Sequence, residues 1–304
     1  MLARLIFIVV VLFWYNPLSA QDLEPRRWNH VPVGVNFVGV GAAHTQGDIF
    51  LDPVLRIEDL EFRFSLGLVS LVHAFELFGQ SARVDMSLPV GSGHWEGLVD
   101  GEPRTLDLRG MMDPSLRLSV NLYGAPALKR KEFAQYRANH PVNTVVGAAI
   151  KVTAPLGQYN PERLLNLGAN RWTLRPQLGV LHQRGKMSYE LTGSAILFSA
   201  NNDFFGGTRL SRDTLYYLQG HIVRTFRPGM WLGFSVGYAI DGSSTIDVVP
   251  KNDGHRDFWA GITLGIPISP VQGIKIALSR AKTNTNTGST SNSIVVGWSL
   301  MWGN

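Results

Sequence analysis

The C-terminal end of the chain alternates. Ile294, Val296, Trp298, Leu300 and Trp302 share one parity, and Val295, Gly297, Ser299 and Met301 the other. A period of two is the mark of a strand whose faces meet different surroundings. Comparable segments recur at 33–46, 60–77, 82–92, 113–123, 142–157, 172–183, 187–198, 213–226, 230–241, 256–268, 274–283 and 291–302. That makes twelve, most of them ten to fourteen residues long. Soluble strands usually have about 5–6 residues, whereas a tilted membrane strand takes about 9–11. Strand length therefore predicts an all-β fold: a transmembrane, antiparallel up-and-down barrel of about 12 strands, its apolar faces turned out to lipid.

The connections alternate too. Short ones fall at 78–81, 184–186, 227–229 and 269–273, with longer polar ones at 47–59, 93–112, 158–171, 199–212, 242–255 and 284–290. Outer-membrane barrels have short periplasmic turns and longer external loops, so this phase also sets an orientation. The exception is 124–141, which the count places on the periplasmic side. Its Leu128, Phe133 and Tyr136 sit among Lys, Arg and Glu, which predicts a short amphipathic helix packed under the barrel.

The first residues read as an address. Arg4 precedes an unbroken apolar run from Leu5 to Tyr15, and Ser19-Ala20 supplies a small-residue end. This is the form of a secretory signal peptide cleaved after Ala20, too short for a spanning helix of about 20 residues. The expected organisation is a signal peptide at 1–20, a periplasmic N-terminal extension at 21–32 and one barrel domain at 33–302. Composition agrees with an exported barrel. Hydrophobic residues at 45%, charged residues at 17% and a mean hydropathy of +0.03 exclude a disordered chain. The net charge of +5 is spread out, with no basic run longer than Lys129-Arg130-Lys131, so nucleic acid is not an expected partner. There is no cysteine, which removes disulfides, thiolate metal sites and cysteine nucleophiles together.

Several blocks carry a family resemblance. They include Leu23-Glu24-Pro25-Arg26, Pro32-Val33-Gly34-Val35-Asn36-Phe37, Asp113-Pro114-Ser115-Leu116-Arg117-Leu118 and Asn121 to Leu128. Pro155 to Tyr159, Asn166 to Trp172, Arg175-Pro176-Gln177 and Asp203 to Gly207 complete the set. Together they resemble the outer-membrane transporters assigned to the meta-pathway of phenol degradation. The resemblance implies a β-barrel in the outer membrane of a Gram-negative-type bacterium and passage of small hydrophobic or aromatic compounds. Outer-membrane lipid, such solutes and the barrel-assembly machinery are the expected partners. That machinery would read the C-terminal strand ending at Trp302, although Gly303-Asn304 follow the aromatic here.

With the apolar parity outward, the other parity assigns the lumen. It places Arg63, Asp85, Arg117, Lys151, Arg175 and Gln177 on the inner wall, followed by Glu190, Thr192, Tyr217, Gln219 and His221. Gly233, Ser235, Gly237, Gly261, Thr263, Ala277 and Ser279 form a small-residue wall near the C-terminus. Arg63, Arg117, Lys151 and Arg175 exceed Asp85 and Glu190, so a water-filled lumen would carry a positive field. An alternative is a polar plug in which these charges pair, because twelve strands lie between a filled eight-stranded barrel and an open one of about 16.

A catalytic barrel is the rival reading, since some outer-membrane barrels hydrolyse lipids. A serine nucleophile needs a histidine and an orienting partner, and His221 has no serine that the sequence assigns to it. His44 and Asp48 lack ligand spacing, and His255-Arg256-Asp257 lacks the companions of a kinase loop. Gly39-Val40-Gly41 lies inside a strand and opens no helix. The expectation is a channel with no catalytic residue, no metal and no cofactor, with a barrel lipid hydrolase or an adhesion barrel as the alternatives.

Overall fold

The computed structural model describes residues 23–50, 57–163, 165–240, 242–251, 253–285 and 288–303; the expected signal peptide lies outside them. The strands are, in chain order, β1 (Val35–Phe50), β2 (Ile57–Leu77), β3 (Gln80–Val99), β4 (Glu102–Met111), β5 (Ser115–Tyr123) and β6 (Val142–Thr153). They continue with β7 (Thr173–Arg184), β8 (Met187–Phe198), β9 (Asn201–Phe204), β10 (Thr208–Arg212), β11 (Leu215–Arg227) and β12 (Met230–Ile240). The last are β13 (Ser244–Ile246), β14 (Val249–Pro250), β15 (Arg256–Ser269), β16 (Gln272–Thr283) and β17 (Gly288–Gly303). One helix, α1 (Arg130–Asn139), falls where the amphipathic insertion was expected.

Twelve of these strands close an antiparallel barrel: β1, β2, β3, β5 to β8, β11, β12 and β15 to β17. Closure is made by β17 on β1, in unbroken register from Val35↔Gly303 to Phe50↔Gly288. Closing the sheet satisfies every edge, which a strand in hydrocarbon requires because no water is there to bond a free N–H.

Outside, the barrel carries the apolar parity. Leu118, Ile150, Leu191, Ile222, Ile262 and Leu278 are all exposed on its outer face. Tyr216, Tyr238, Trp172 and Phe258 stand exposed near the long-loop end, and Tyr123, Tyr189, Phe226 and Trp302 near the short-turn end. Two aromatic girdles flanking an apolar band are what a bilayer selects, since rings with a polar edge settle at the headgroup level. Arginine in place of Leu191 or Ile262 should therefore cost about 2–4 kcal/mol near the midplane. Urea unfolding in lipid checks this against alanine at the same positions; equal cost for both substitutions would place these residues elsewhere than in lipid.

The polar stretch 93–112, expected as a loop, is largely a hairpin. β3 runs on past the barrel, pairs with β4 from Val90↔Met111 to Val99↔Glu102, and stays paired with β2 as far as Ile57. Beneath it Phe62, Phe64, Trp95, Leu108 and Met112 form a buried cluster. This changes the meaning of the alternation in β2. The even-numbered apolar residues Phe62, Phe64, Leu66 and Leu68 all turn inward, and Arg63 lies on the outward parity with Val69 and Leu71. Arg63 is thus not a lumen residue: its side chain is 57% exposed and bonds Glu96 at 2.8 Å.

Candidate functional site

Residues 23–32, expected as an extension on the periplasmic side, instead fold back into the barrel. Gly34 N–H donates to Ala74 O (2.8 Å) and Val33 N–H to Leu128 O (2.9 Å), which fixes the entry point beside α1. His30 stands edge-on to Phe133 and Tyr136, with centroids at 4.8 and 5.5 Å. The two aromatics named for the helix therefore hold the incoming segment.

Further in, the segment meets the inner wall side chain by side chain. Trp28, 1% exposed, donates its indole N–H to Thr192 Oγ1 at 2.8 Å. Its ring occupies the space left by Gly147 and Gly179, which are direct partners across β6 and β7; a Cβ on either would run into that ring. Val145, Ala149 and Leu181 complete the seat. Arg27 donates to Asp85 (2.6 Å) and to Ser119 (2.9 Å), and its carbonyl accepts from Arg83 (2.8 Å). The amides of Arg26 and Arg27 both donate to Glu190 Oε2, at 2.9 and 3.2 Å. Arg26 takes a positive φ of 69°, a left-handed turn that aims both amides at one oxygen. Beyond it Glu24 accepts two bonds from Arg117, at 2.7 and 3.2 Å.

Of the residues expected in the lumen, Asp85, Arg117, Glu190 and Thr192 thus bind the N-terminal segment. Gln177, Gln219 and His221 are buried on the inner wall, His221 sharing a 2.7 Å hydrogen bond with Ser235. Lys151, Arg175 and Tyr217 line a cavity of about 620 Å³ on the loop side of the segment. Arg63 alone of that set lies elsewhere. Sequence reasoning missed Glu24, Arg27 and Trp28, although a signal existed. Two inward glycines on adjacent strands leave a hole, and a lone tryptophan just upstream of the first strand is a side chain of the size to fill it.

The cavity is shaped by the loops as well. Asp113, before β5, accepts the amides of Gly157 (2.8 Å) and Ala169 (2.7 Å) and so draws the 158–171 connection over the barrel mouth. Burial pushes its carboxyl up from the usual range. Leu165 and Leu167 of that connection pack on the cluster of Phe62, Phe64 and Trp95. Arg171 lies over the Phe198 ring at 4.4 Å, with Arg212 at 5.6 Å from the same ring. Burial, with Arg212 beside it, pulls the Arg171 guanidinium down to about 9. Among the described residues no cluster of His, Cys, Asp or Glu is arranged to hold a metal ion.

A closed barrel with an apolar band, aromatic girdles and a polar lumen containing a cavity defines a transmembrane β-barrel of the outer-membrane channel type. The chain belongs to the family described as "Putative MetA-pathway of phenol degradation", whose profile matches residues 27–295. The resemblance read from the sequence blocks is therefore correct. In fold the chain is similar to the COG4313 outer membrane channel from Pseudomonas putida F1, with a TM-score of 0.75 and 21% identity over 92% of this chain and 100% of that one. It is more distantly similar to the transport unit of the autotransporter AIDA-I from Escherichia coli, with a TM-score of 0.51 and 9% identity over 98% and 97% of the two chains. At these identities the likeness is one of fold. No curated protein matches the chain in sequence.

Proposed function

We propose that the protein passes small hydrophobic or aromatic compounds across the outer membrane of a Gram-negative-type bacterium, without catalysis. The observation that carries this is the cavity of about 620 Å³ inside the barrel, lined by Leu66, Leu68, Phe198, Tyr217 and Trp259. Ligand sites are typically concave, largely apolar and about 300–1,000 Å³ in volume, with a few polar groups that orient the guest. Family membership supports the aromatic class. The N-terminal segment under the cavity is a gate in this reading, and a signal peptide at 1–20 with a terminal strand ending at Trp302 suits export and barrel assembly.

Uptake of labelled benzyl alcohol by cells with and without the protein tests the reading. Faster initial uptake with the protein is expected, and it should fall when Leu68→Trp fills the cavity. Equal uptake in all three, with the protein correctly inserted, would sink transport of this class.

A further inference from the structure

At the short-turn end of the barrel, positive charge gathers at one corner of the rim. Arg184 and Lys186 flank Gly185 in the turn between β7 and β8, and Arg224 and Arg227 stand at the end of β11. β8 pairs with both β7 and β11, and Met187 is the register partner of Arg184 on one side and of Arg224 on the other. The turns are tied together as well. The Thr225 amide donates to Lys186 O at 2.8 Å, and the Gly185 amide to Pro141 O at 2.8 Å, just after α1. All four cations are exposed. No acid occurs in 180–189 or 222–232. The acid closest in sequence, Glu190, turns into the lumen and accepts the Arg26 and Arg27 amides. The other two short turns, Phe78-Gly79 and Pro270-Val271, carry no charge, so the patch is local to this corner.

The corner sits at the edge of the hydrocarbon. Arg184 continues the lipid-facing parity of Leu178 and Val180 on β7, and Arg224 that of Leu218 and Ile222 on β11. Between them, Met187, Tyr189 and Leu191 carry the same outward parity along β8. Tyr189 and Phe226 belong to the aromatic girdle of this end, which marks the headgroup level. Arg224 lies over the Phe226 ring at 5.6 Å, a contact that holds a guanidinium by its face and leaves its N–H edge free. Neighbouring strands lie about 4.8 Å apart, so roughly 10 Å separates the Arg184 and Arg224 backbones, and both side chains can reach a group held between them. Without an acid among them, four such cations repel one another and gain from a counter-charge.

We infer that this corner seats the headgroup of an anionic phospholipid of the periplasmic leaflet. The phosphate lies between Arg184 and Arg224, with Lys186 and Arg227 beside it and an acyl chain along Met187, Tyr189 and Leu191. Guanidinium forks match phosphate oxygens and bind them with charge-assisted hydrogen bonds. A basic cluster just past the hydrocarbon draws anionic lipid out of a mixed membrane. Zwitterionic lipid brings the same phosphate together with an ammonium that the cations repel, so net charge is the basis of choice. Short turns put this end of an outer-membrane barrel in the periplasm. The inference is independent of what passes through the lumen.

Native mass spectrometry of the purified, delipidated protein in detergent tests this, with phosphatidylglycerol and phosphatidylcholine of the same acyl chains as probes. Phosphatidylglycerol should be retained about tenfold more than phosphatidylcholine, as two or more cations at a lipid surface predict. The Arg184→Gln/Arg224→Gln double variant should bring its retention down to the phosphatidylcholine level. Arg104→Gln/Arg109→Gln removes the same charge from exposed positions on β4, at the long-loop end, and should leave retention unchanged. Heat-modifiable migration on a gel certifies that each variant is still a folded barrel. Should the first double variant fail that check, Lys186→Gln/Arg227→Gln takes its place, with a severalfold loss expected. Equal retention of the two lipids by the unaltered protein would overturn the inference, as would full retention of phosphatidylglycerol by the Arg184/Arg224 variant. A loss just as large in the β4 variant would also overturn it, because net charge rather than a site would then hold the lipid.

Discussion

Replacing Trp28 with alanine should open the barrel. The ring is among the largest fully buried side chains, lies over the Gly147–Gly179 pair and bonds Thr192. Truncating a buried tryptophan costs roughly 3–5 kcal/mol, because the lost contacts are not recovered unless the site collapses. Here collapse is blocked, since the wall on either side is backbone held in register by the barrel. The remaining ties of the segment, from Glu24 to Arg27, are polar and can be exchanged for water once the lumen is wet. The expected result is a several-fold rise in single-channel conductance in planar bilayers, with new trypsin cleavage after Arg26 or Arg27. Gly179→Val should give the same outcome by occupying the seat from the wall. Unchanged conductance and no cleavage in both variants would mean that the segment is not what occludes the lumen.

Removing the charge of Asp85 should be the most damaging single polar change. Its carboxylate lies 2.6 Å from Arg27 and 3.5 Å from Arg83, and the side chains of Arg27 and Asp85 are only 9% and 13% exposed. Asp85→Asn keeps the size of the side chain but leaves two guanidiniums beside the Arg117–Lys151–Arg175 row without their nearest acid. Breaking a buried pair by removing one partner typically costs 3–5 kcal/mol. Combining it with Arg27→Met should restore much of the loss, because the uncompensated charge is then gone. Urea unfolding in lipid of the two single variants and the double variant measures the coupling. Additive losses in the double variant would show that the pair is not a unit.

In most of the membrane strands alternation was enough to place side chains. The twelve segments became the twelve barrel strands, and Asp85, Arg117, Lys151, Arg175, Glu190 and Tyr217 all lie inside as their parity required. The helix came from the one connection that broke the phase, and its Phe133 and Tyr136 were recognisable as its packing face. The rule failed in β2, whose two faces are both apolar: Leu66 and Leu68 line the cavity, while Val69 and Leu71 are exposed on the parity that Arg63 shares. Leu60, Phe62, Phe64, Leu66 and Leu68 form one continuous apolar parity, but it turns to the buried cluster and the cavity and leaves Arg63 outside.

The sequence alone determined the barrel, its strand number, the alternation of its short and long connections and the inner face of most of its membrane strands. Each of these follows from interactions between near neighbours: a strand's period, a turn's length, the thickness of hydrocarbon that a strand must cross. Only the tertiary structure decided what fills the lumen. Arg27 meets Asp85 across 58 positions and Trp28 meets Thr192 across 164, and no periodicity connects residues so far apart. The seat for Trp28 exists only once β6 and β7 align Gly147 with Gly179, and the basic row only once β5 to β7 align Arg117, Lys151 and Arg175. Those alignments are set by the closure of the whole barrel, a property that no single strand carries.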